Sequence, residues 1–237
     1  MNEGSSPKHE HTRRGWPPRW PDVADRAVIA AMTTVPRHLF VPPEYRDRAY
    51  EDIPLPIGHG QTISQPYIVA LMTQALRLTP TCRTLEIGTG SGYQSAVLAS
   101  ITPQVWSVET LAELAQAAQE RLHGLGYLVE VKAGDGRLGW PEHAPYDAII
   151  VTAAAPDVPP ALVAQLAESG RLVIPVGESA WDQTLWLIER IGARLHREFL
   201  CEVRFVPLVA SASRGAEPAD PALADIRRQL NELFRFR

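Results

Sequence analysis

The sequence predicts an α/β fold: a doubly wound, mainly parallel sheet with an antiparallel edge and helices ahead of it. Three observations lead there. From Arg83 onward, short runs rich in β-branched residues alternate with segments of helical period. The first of these runs ends in a glycine-rich turn, "LEIGTGSGY", that opens onto a helix. The last two runs, "QTLWLIER" and "REFLCEVRFVPLV", follow one another without a strong helix between them, as antiparallel neighbours do.

Taken in order, residues 1–21 ("RRGWPPRWP" at their core) have neither helical nor strand period and read as a flexible arm. Trp16 and Trp20 are expected to pack back on the domain, docking of a partner being the weaker alternative. Residues 22–32 predict a short helix starting at an Asp cap, with Pro36 just beyond its end. Residues 35–64 hold too many prolines for regular structure, and a loop of that length inside a compact domain is usually functional. A helix then runs from Pro66, with Ser64 as its expected cap and Gln65 and Pro66 in its first turn. "RTLEIG", "VWSVE", "LVEVKAG", "YDAIIVTAA" and "GRLVIPVG" read as buried strands, with helices at 93–100, 111–123 and 160–168. Strand alternating with helix implies right-handed crossovers and a sheet covered on both faces. Residues 219–234 form an amphipathic pattern after a Gly/Pro/Ser linker. The expected division is a flexible arm at 1–21, a single domain at 22–210, and a linker with a C-terminal helix at 211–237.

Bulk properties exclude several classes. The chain has 237 residues and a formal net charge of −4, so it lacks the electrostatic footprint of a nucleic-acid binder. Its only cysteines, Cys82 and Cys201, form neither a disulfide framework nor a zinc-type spacing; no metal is expected and a reducing cytoplasm is. No apolar run reaches the roughly 18 residues of a membrane span, and no apolar h-region follows the N-terminal charges, so a soluble, unsecreted protein is expected; a monomer is the expected state.

The turn after the first strand carries the chemistry. Glu86, Gly88, Thr89, Gly90 and Gly92 lead directly into a helix, where glycines let the backbone approach a ligand and the helix N-terminus favours an anionic group. A dinucleotide fingerprint would need glycine at 93, where Tyr93 stands, and a P-loop would need Gly-Lys-Ser/Thr; both phosphate readings weaken. The pattern E-x-G-x-G-x-G resembles instead the first motif of class I S-adenosylmethionine-dependent methyltransferases, a Rossmann-like fold whose ligand has an amino-acid end to meet such a turn. Two later carboxylates agree. Glu109 ends the second strand about 20 residues on, where an acid can accept both hydroxyls of a ribose. Asp135, in "AGDG" with Gly136, ends the third, where it can accept from an adenine amino group. For either acid alone, a capping or solvated turn residue is an equally good reading.

"VPRHLFVPPEYRDRAYEDIPLPIGHGQTISQPYIVALM", followed by "LEIGTGSGYQSAVLA", closely resembles the protein-L-isoaspartate O-methyltransferases, and the likeness runs over residues 35–208. The resemblance implies that Thr62, Ile63 and Ser64 lie beside the donor with Ser64 as the active-site residue, that Gln61 and Thr62 line the donor site, and that Val206, Pro207 and Leu208 border the peptide groove. Ser64 and Ile63 would then contact substrate. The implied reaction moves a methyl group from S-adenosyl-L-methionine to the free α-carboxylate of an isoaspartyl residue in a damaged peptide or protein, leaving S-adenosyl-L-homocysteine; the ester would then be lost through a succinimide. A carboxylate of pKa about 4 needs no general base at neutral pH. The Trp/Pro-rich arm and the C-terminal helix depart from the family pattern.

Three rivals remain at this point. A methyltransferase acting on amides or amines would carry an Asn/Asp-Pro-Pro-Tyr type segment where this chain reads "VTAAAP". A relative that esterifies aspartate in a biosynthetic precursor peptide would share nearly every motif. A non-catalytic donor-binding module would not need Ser64. His59, Tyr93 and Thr152 are read as a turn residue, helix-start packing and a strand-end hydrogen bond.

Overall fold

The computed structural model describes residues 15–179, 181–208 and 221–235. The first part of the expected arm, the linker and the first residues of the expected C-terminal helix lie outside them. Helix α1 (Arg26–Thr34) is capped by Asp25, whose carboxylate accepts the N–H groups of Ala27 at 2.8 Å and Val28 at 3.3 Å. The cap is therefore not Asp22. That residue is held elsewhere: its carboxylate accepts the Tyr67 hydroxyl and its carbonyl accepts Gln74 Nε2 at 2.8 Å.

The proline-rich stretch is more regular than expected. It holds two 3-10 turns, Arg37–Phe40 and Pro43–Arg48, and a hairpin of β1 (Leu55–Gly58) and β2 (Gln61–Ile63). Its prolines fit because Pro36, Pro42 and Pro43 sit at turn starts, where no amide donor is needed, and Pro56 lies in a two-stranded ribbon. The hairpin tip, Gly58-His59-Gly60, has φ of 90°, 53° and 71°, a run that flanking glycines make affordable. Helix α2 (Pro66–Ala75) follows. Its N-cap is Gln65, without a side-chain cap bond, so Ser64 lies one residue outside the helix and is not its cap.

The sheet is built from β3 (Arg83–Ile87), α3 (Tyr93–Ala99), β4 (Gln104–Glu109), α4 (Ala112–Gly124), β5 (Val129–Ala133), β6 (Tyr146–Val151), α5 (Pro160–Ala164), β7 (Leu166–Val176), β8 (Gln183–Ile191) and β9 (Arg194–Val203). Strand order is β5-β4-β3-β6-β7-β8-β9, parallel through β7 and antiparallel thereafter, as the sequence predicts. α5 is shorter than expected because the Gln165 carbonyl accepts the Tyr146 N–H at 2.8 Å, which starts strand pairing at Leu166. The pleat splits the core in two. Ala148 and Ile150 face one cluster with residues of α1, α2 and α3, while Ile149 and Val151 face the other with Leu162 and Val163. Helix α6 (Pro221–Leu233) joins the second cluster through Leu230, and Gln229 pairs with the Leu195 N–H at 3.0 Å and the Ala193 carbonyl at 2.9 Å. No helix among the described residues is long and apolar enough to cross a membrane.

Trp16 and Trp20 do pack on the domain. Trp16 Nε1 donates to the Met32 carbonyl at 2.8 Å and its ring lies 5.1 Å from Tyr50; Trp20 Nε1 donates to Asp52 at 3.0 Å. Replacing Trp16 with Ala removes both ring packing and an amide partner. It is expected to cost about 3 kcal/mol in urea unfolding; an unchanged midpoint would mean that this part of the arm contributes nothing to the fold.

Candidate active site

Successive strands run outward from β3 in one direction to β5, then return to β6 on its other side. The carboxyl ends of β3 and β6 flank the crevice that this reversal opens. Gly88 leaves β3 with φ 97° and donates its N–H to the Val108 carbonyl at 2.8 Å. A Cβ at Gly88 would overlap the Thr152 hydroxyl, which sits 3.0 Å from the Ile87 carbonyl and 2.5 Å from that of Gly88. Glu109, at the end of β4, shapes the same turn: its carboxylate accepts the Gly90 N–H at 2.8 Å and the Leu111 N–H at 3.1 Å. Each carboxylate oxygen keeps lone-pair capacity for a ligand.

Beneath the turn lies Glu86, fully buried. The Ser95 and Ser107 hydroxyls both donate to its Oε2, Ser107 at 2.7 Å, and Oε1 has no partner. Burial pushes its carboxyl from the ordinary 4.5 to about 8, against those two hydrogen bonds and with a smaller push from Glu109.

A narrow cleft at the crevice is lined by residues 61–64, 88–91, 109–111, 152–153 and 206–208 with Tyr93 and Gln94. It thus brings together Gln61, Thr62, Ile63, Ser64, Gly88, Thr89, Gly90, Glu109, Val206, Pro207 and Leu208 from distant parts of the chain. Four other expected residues lie outside the lining. Glu86 is the floor just described. Gly92 is the N-cap of α3, with φ 86° and Leu122 against its Cα. Asp135 is held by Arg137, Nη2 to Oδ2 at 2.6 Å, and its side chain is 8% exposed. Gly136 packs on Ile87 and near Leu208.

A second, open cleft of about 480 Å³ shares Thr62, Ser64, Thr152 and Val206 with the first. Ser64 therefore stands where the two meet. Its hydroxyl makes no hydrogen bond to a described residue, while its carbonyl accepts Arg37 Nη2 at 2.8 Å. Arg37 is 0% exposed; its Nε donates to the Ala49 carbonyl at 2.8 Å and its guanidinium lies 4.7 Å from the Tyr93 ring centroid. Burial lowers it to about 10, so it stays charged at neutral pH.

The sequence reading missed Arg37 and the lining roles of Thr152, Tyr93, Thr110 and Leu111. The expected local roles of three residues hold: Thr152 bonds at a strand end, Tyr93 packs at a helix start and His59 sits in a turn. His59 Nδ1 also lies 3.5 Å from Glu113. The position of Thr110 and Leu111, directly after an expected ligand acid, was the one local signal available.

A family model described as protein-L-isoaspartate(D-aspartate) O-methyltransferase matches residues 21–213. The chain belongs to that family. It is 61% identical over 191 residues to protein-L-isoaspartate O-methyltransferase 2 of Pelobacter propionicus, covering 80% of this chain and 85% of the relative. It is 58% identical over 194 residues to the Synechococcus protein-L-isoaspartate O-methyltransferase, covering 79% and 80%. A solved protein-L-isoaspartate O-methyltransferase superposes with a TM-score of 0.72 at 30% identity, over 86% of this chain and 65% of that one. A Plasmodium falciparum structure of the same description, in complex with S-adenosyl-L-homocysteine, gives 0.70 at 26% identity over 85% and 96%. The chain is an S-adenosylmethionine-dependent methyltransferase.

Glu86 makes the site's floor sensitive to pH. Because its folded-state value lies above the ordinary 4.5, the proton it retains stabilises the fold fully below pH 4.5, and that contribution is lost as pH rises through about 8. Glu86→Gln is neutral throughout. The melting temperature of the wild type is expected to fall relative to that of Glu86→Gln across this window, and a gap constant from pH 4.5 to 9 would show that Glu86 ionises as in the unfolded chain.

Proposed function

We infer that the chain methylates the free α-carboxylate of isoaspartyl residues in proteins and peptides, using S-adenosyl-L-methionine and releasing S-adenosyl-L-homocysteine. The observation that carries this reading is Ser64: an unengaged hydroxyl at the junction of a donor cleft and an open acceptor cleft, in a chain of this family.

The donor cleft fits such a ligand in shape and charge. Gly88 and Gly90 let the turn pass close to Thr152 and Ile57 at positive φ, and the Glu109 carboxylate puts a negative charge beside it that suits a cationic ligand, while Glu86 below stays protonated. Glu109 would accept the ribose hydroxyls and the backbone of Gly88, Thr89 and Gly90 would meet the amino-acid end; Asp135, outside the lining and paired with Arg137, would accept from adenine only with the lone-pair capacity that this pair leaves. Gln61 and Thr62 cover the site from the hairpin, with Gly92 and Gly136 letting neighbouring elements pack closely. When bound, the donor supplies an electrophilic methyl group on a sulfonium. The acceptor carboxylate is already ionised, so the chain's residues act by placing it. The Ser64 hydroxyl donates to it, Ile63 and the 206–208 segment wall it in, and the strand ends exclude water along the line of transfer. No proton needs to be moved. The free thiols of Cys82 and Cys201 support a reducing, cytoplasmic setting.

Peptides of unrelated sequence, each made with aspartate and with isoaspartate at one position, test the substrate. The isoaspartyl forms are expected to be methylated with a much higher kcat/KM, because a shift of one methylene breaks in-line geometry. Equal or better use of the aspartyl forms would point to esterification of ordinary aspartate instead. Ser64→Ala is expected to lower kcat about 10²-fold with the melting temperature unchanged, since Gln65 and not Ser64 caps α2. Full turnover in that variant would remove the serine from the reaction.

A further inference from the structure

The acceptor cleft extends beyond Ser64 to a wall made by the turn between β7 and β8 and by the chain leaving β9, and in that wall stands Trp181. Its side chain is 78% exposed. A single exposed apolar residue is ordinary on a protein surface, so exposure by itself means little. Three further facts separate this indole from a stray one. It lines the same continuous cleft as Ser64. Its ring is oriented: the Arg204 guanidinium lies 4.2 Å from the ring centroid, covering one face, and the high exposure leaves the other open. Arg204 makes no ion pair with Asp182 or Glu202, although both line the cleft, so the stacking contact decides where its charge rests.

The wall is also braced from below. Gln183, two residues after Trp181 and 6% exposed, accepts the Phe205 N–H on Oε1 at 2.5 Å and donates Nε2 to the Phe205 carbonyl at 3.1 Å. One side-chain amide thus ties the start of β8 to the residue after Arg204, holding the indole and its stacking partner at a set separation. An exposed aromatic face with a guanidinium stacked against it, beside a peptide-sized cleft, is suited to an apolar side chain and gives nothing to a glycine.

We propose that Trp181 is a specificity-determining residue of an outer acceptor subsite, which packs the apolar or aromatic side chain of the residue neighbouring the isoaspartyl residue. This rests on the acceptor reading above, and it adds a preference for sequence context to the recognition of the carboxylate.

The test uses the full chain and one isoaspartyl peptide in which the residue before or after the isoaspartate is Gly, Leu or Phe. With the wild type, kcat/KM for the better-placed Phe or Leu peptide is expected to exceed that of the Gly peptide about tenfold, chiefly through KM. Trp181→Ala is expected to bring that ratio close to one, and Trp181→Phe to keep most of it. A partly unfolded preparation lowers both rates together and leaves the ratio untouched, so a folding defect cannot imitate the result. No preference in the wild type, or an unchanged preference in Trp181→Ala, overturns the subsite while leaving the isoaspartyl activity intact. Failure of the wild type to methylate any of the isoaspartyl peptides overturns the activity itself, and the subsite with it.

Discussion

The site depends on one buried cation. The guanidinium of Arg37 is withdrawn from water without a carboxylate in hydrogen-bond contact, an arrangement that costs several kcal/mol unless other groups solvate the charge. Two carbonyls and an aromatic face do so: Ala49, Ser64 and Tyr93. Arg37 lies near the beginning of the proline-rich stretch, Ala49 in its middle and Ser64 at its end, so a segment of short turns and one small hairpin folds around its own charged residue. Tyr93 comes from the far side of the glycine turn and lines the donor cleft. The same guanidinium therefore fixes the serine of the acceptor side relative to the walls of the donor side.

The donor cleft is organised by two carboxyl groups. Glu109 spends its hydrogen-bonding capacity first on two backbone amides of its own surroundings, Gly90 and Leu111, which makes the turn's shape and the ribose acceptor parts of one interaction. Glu86 below is linked to Thr89 through the Ser107 hydroxyl, which lies 2.6 Å from Thr89 Oγ1. Glu86, raised to about 8, stays protonated at neutral pH, so Glu109 is the carboxylate left to meet a ligand; it is ill matched to a pyrophosphate and well matched to ribose hydroxyls, in line with the glycine spacing.

The described parts of the terminal segments that depart from the family pattern pack on the domain. Trp16 holds the carbonyl of Met32, whose sulfur receives the Tyr93 hydroxyl at 3.6 Å, so the described part of the N-terminal arm reaches the donor cleft through one intermediate residue. At the other end, α6 lies over the antiparallel edge, with Phe234 5.5 Å from Trp186 and Leu230 in the core. It shields apolar surface on β8 and β9 that would otherwise face water.

The sequence by itself determined what depends on local periodicity and backbone freedom. Alternating β-branched runs dictated the parallel strands and the antiparallel edge, the glycines after Glu86 dictated a turn open to a ligand, and the spacing to Glu109 put an acid at the next strand end. The motif from Val35 to Met72 supplied Ser64 by resemblance. Only the tertiary structure decided which of several equivalent polar groups took which partner. Asp25 rather than Asp22 caps α1 because Tyr67 and Gln74 occupy Asp22 from 45 and 52 residues away. Asp135, apt in type and position to meet adenine, is engaged by Arg137. Thr152 became a wall common to both clefts, and Trp181 an oriented surface, through contacts that no sequence window contains. A period reports what a residue's own backbone can do, whereas hydrogen bonds and burial depend on which distant groups arrive beside it, and those are set by the packed fold.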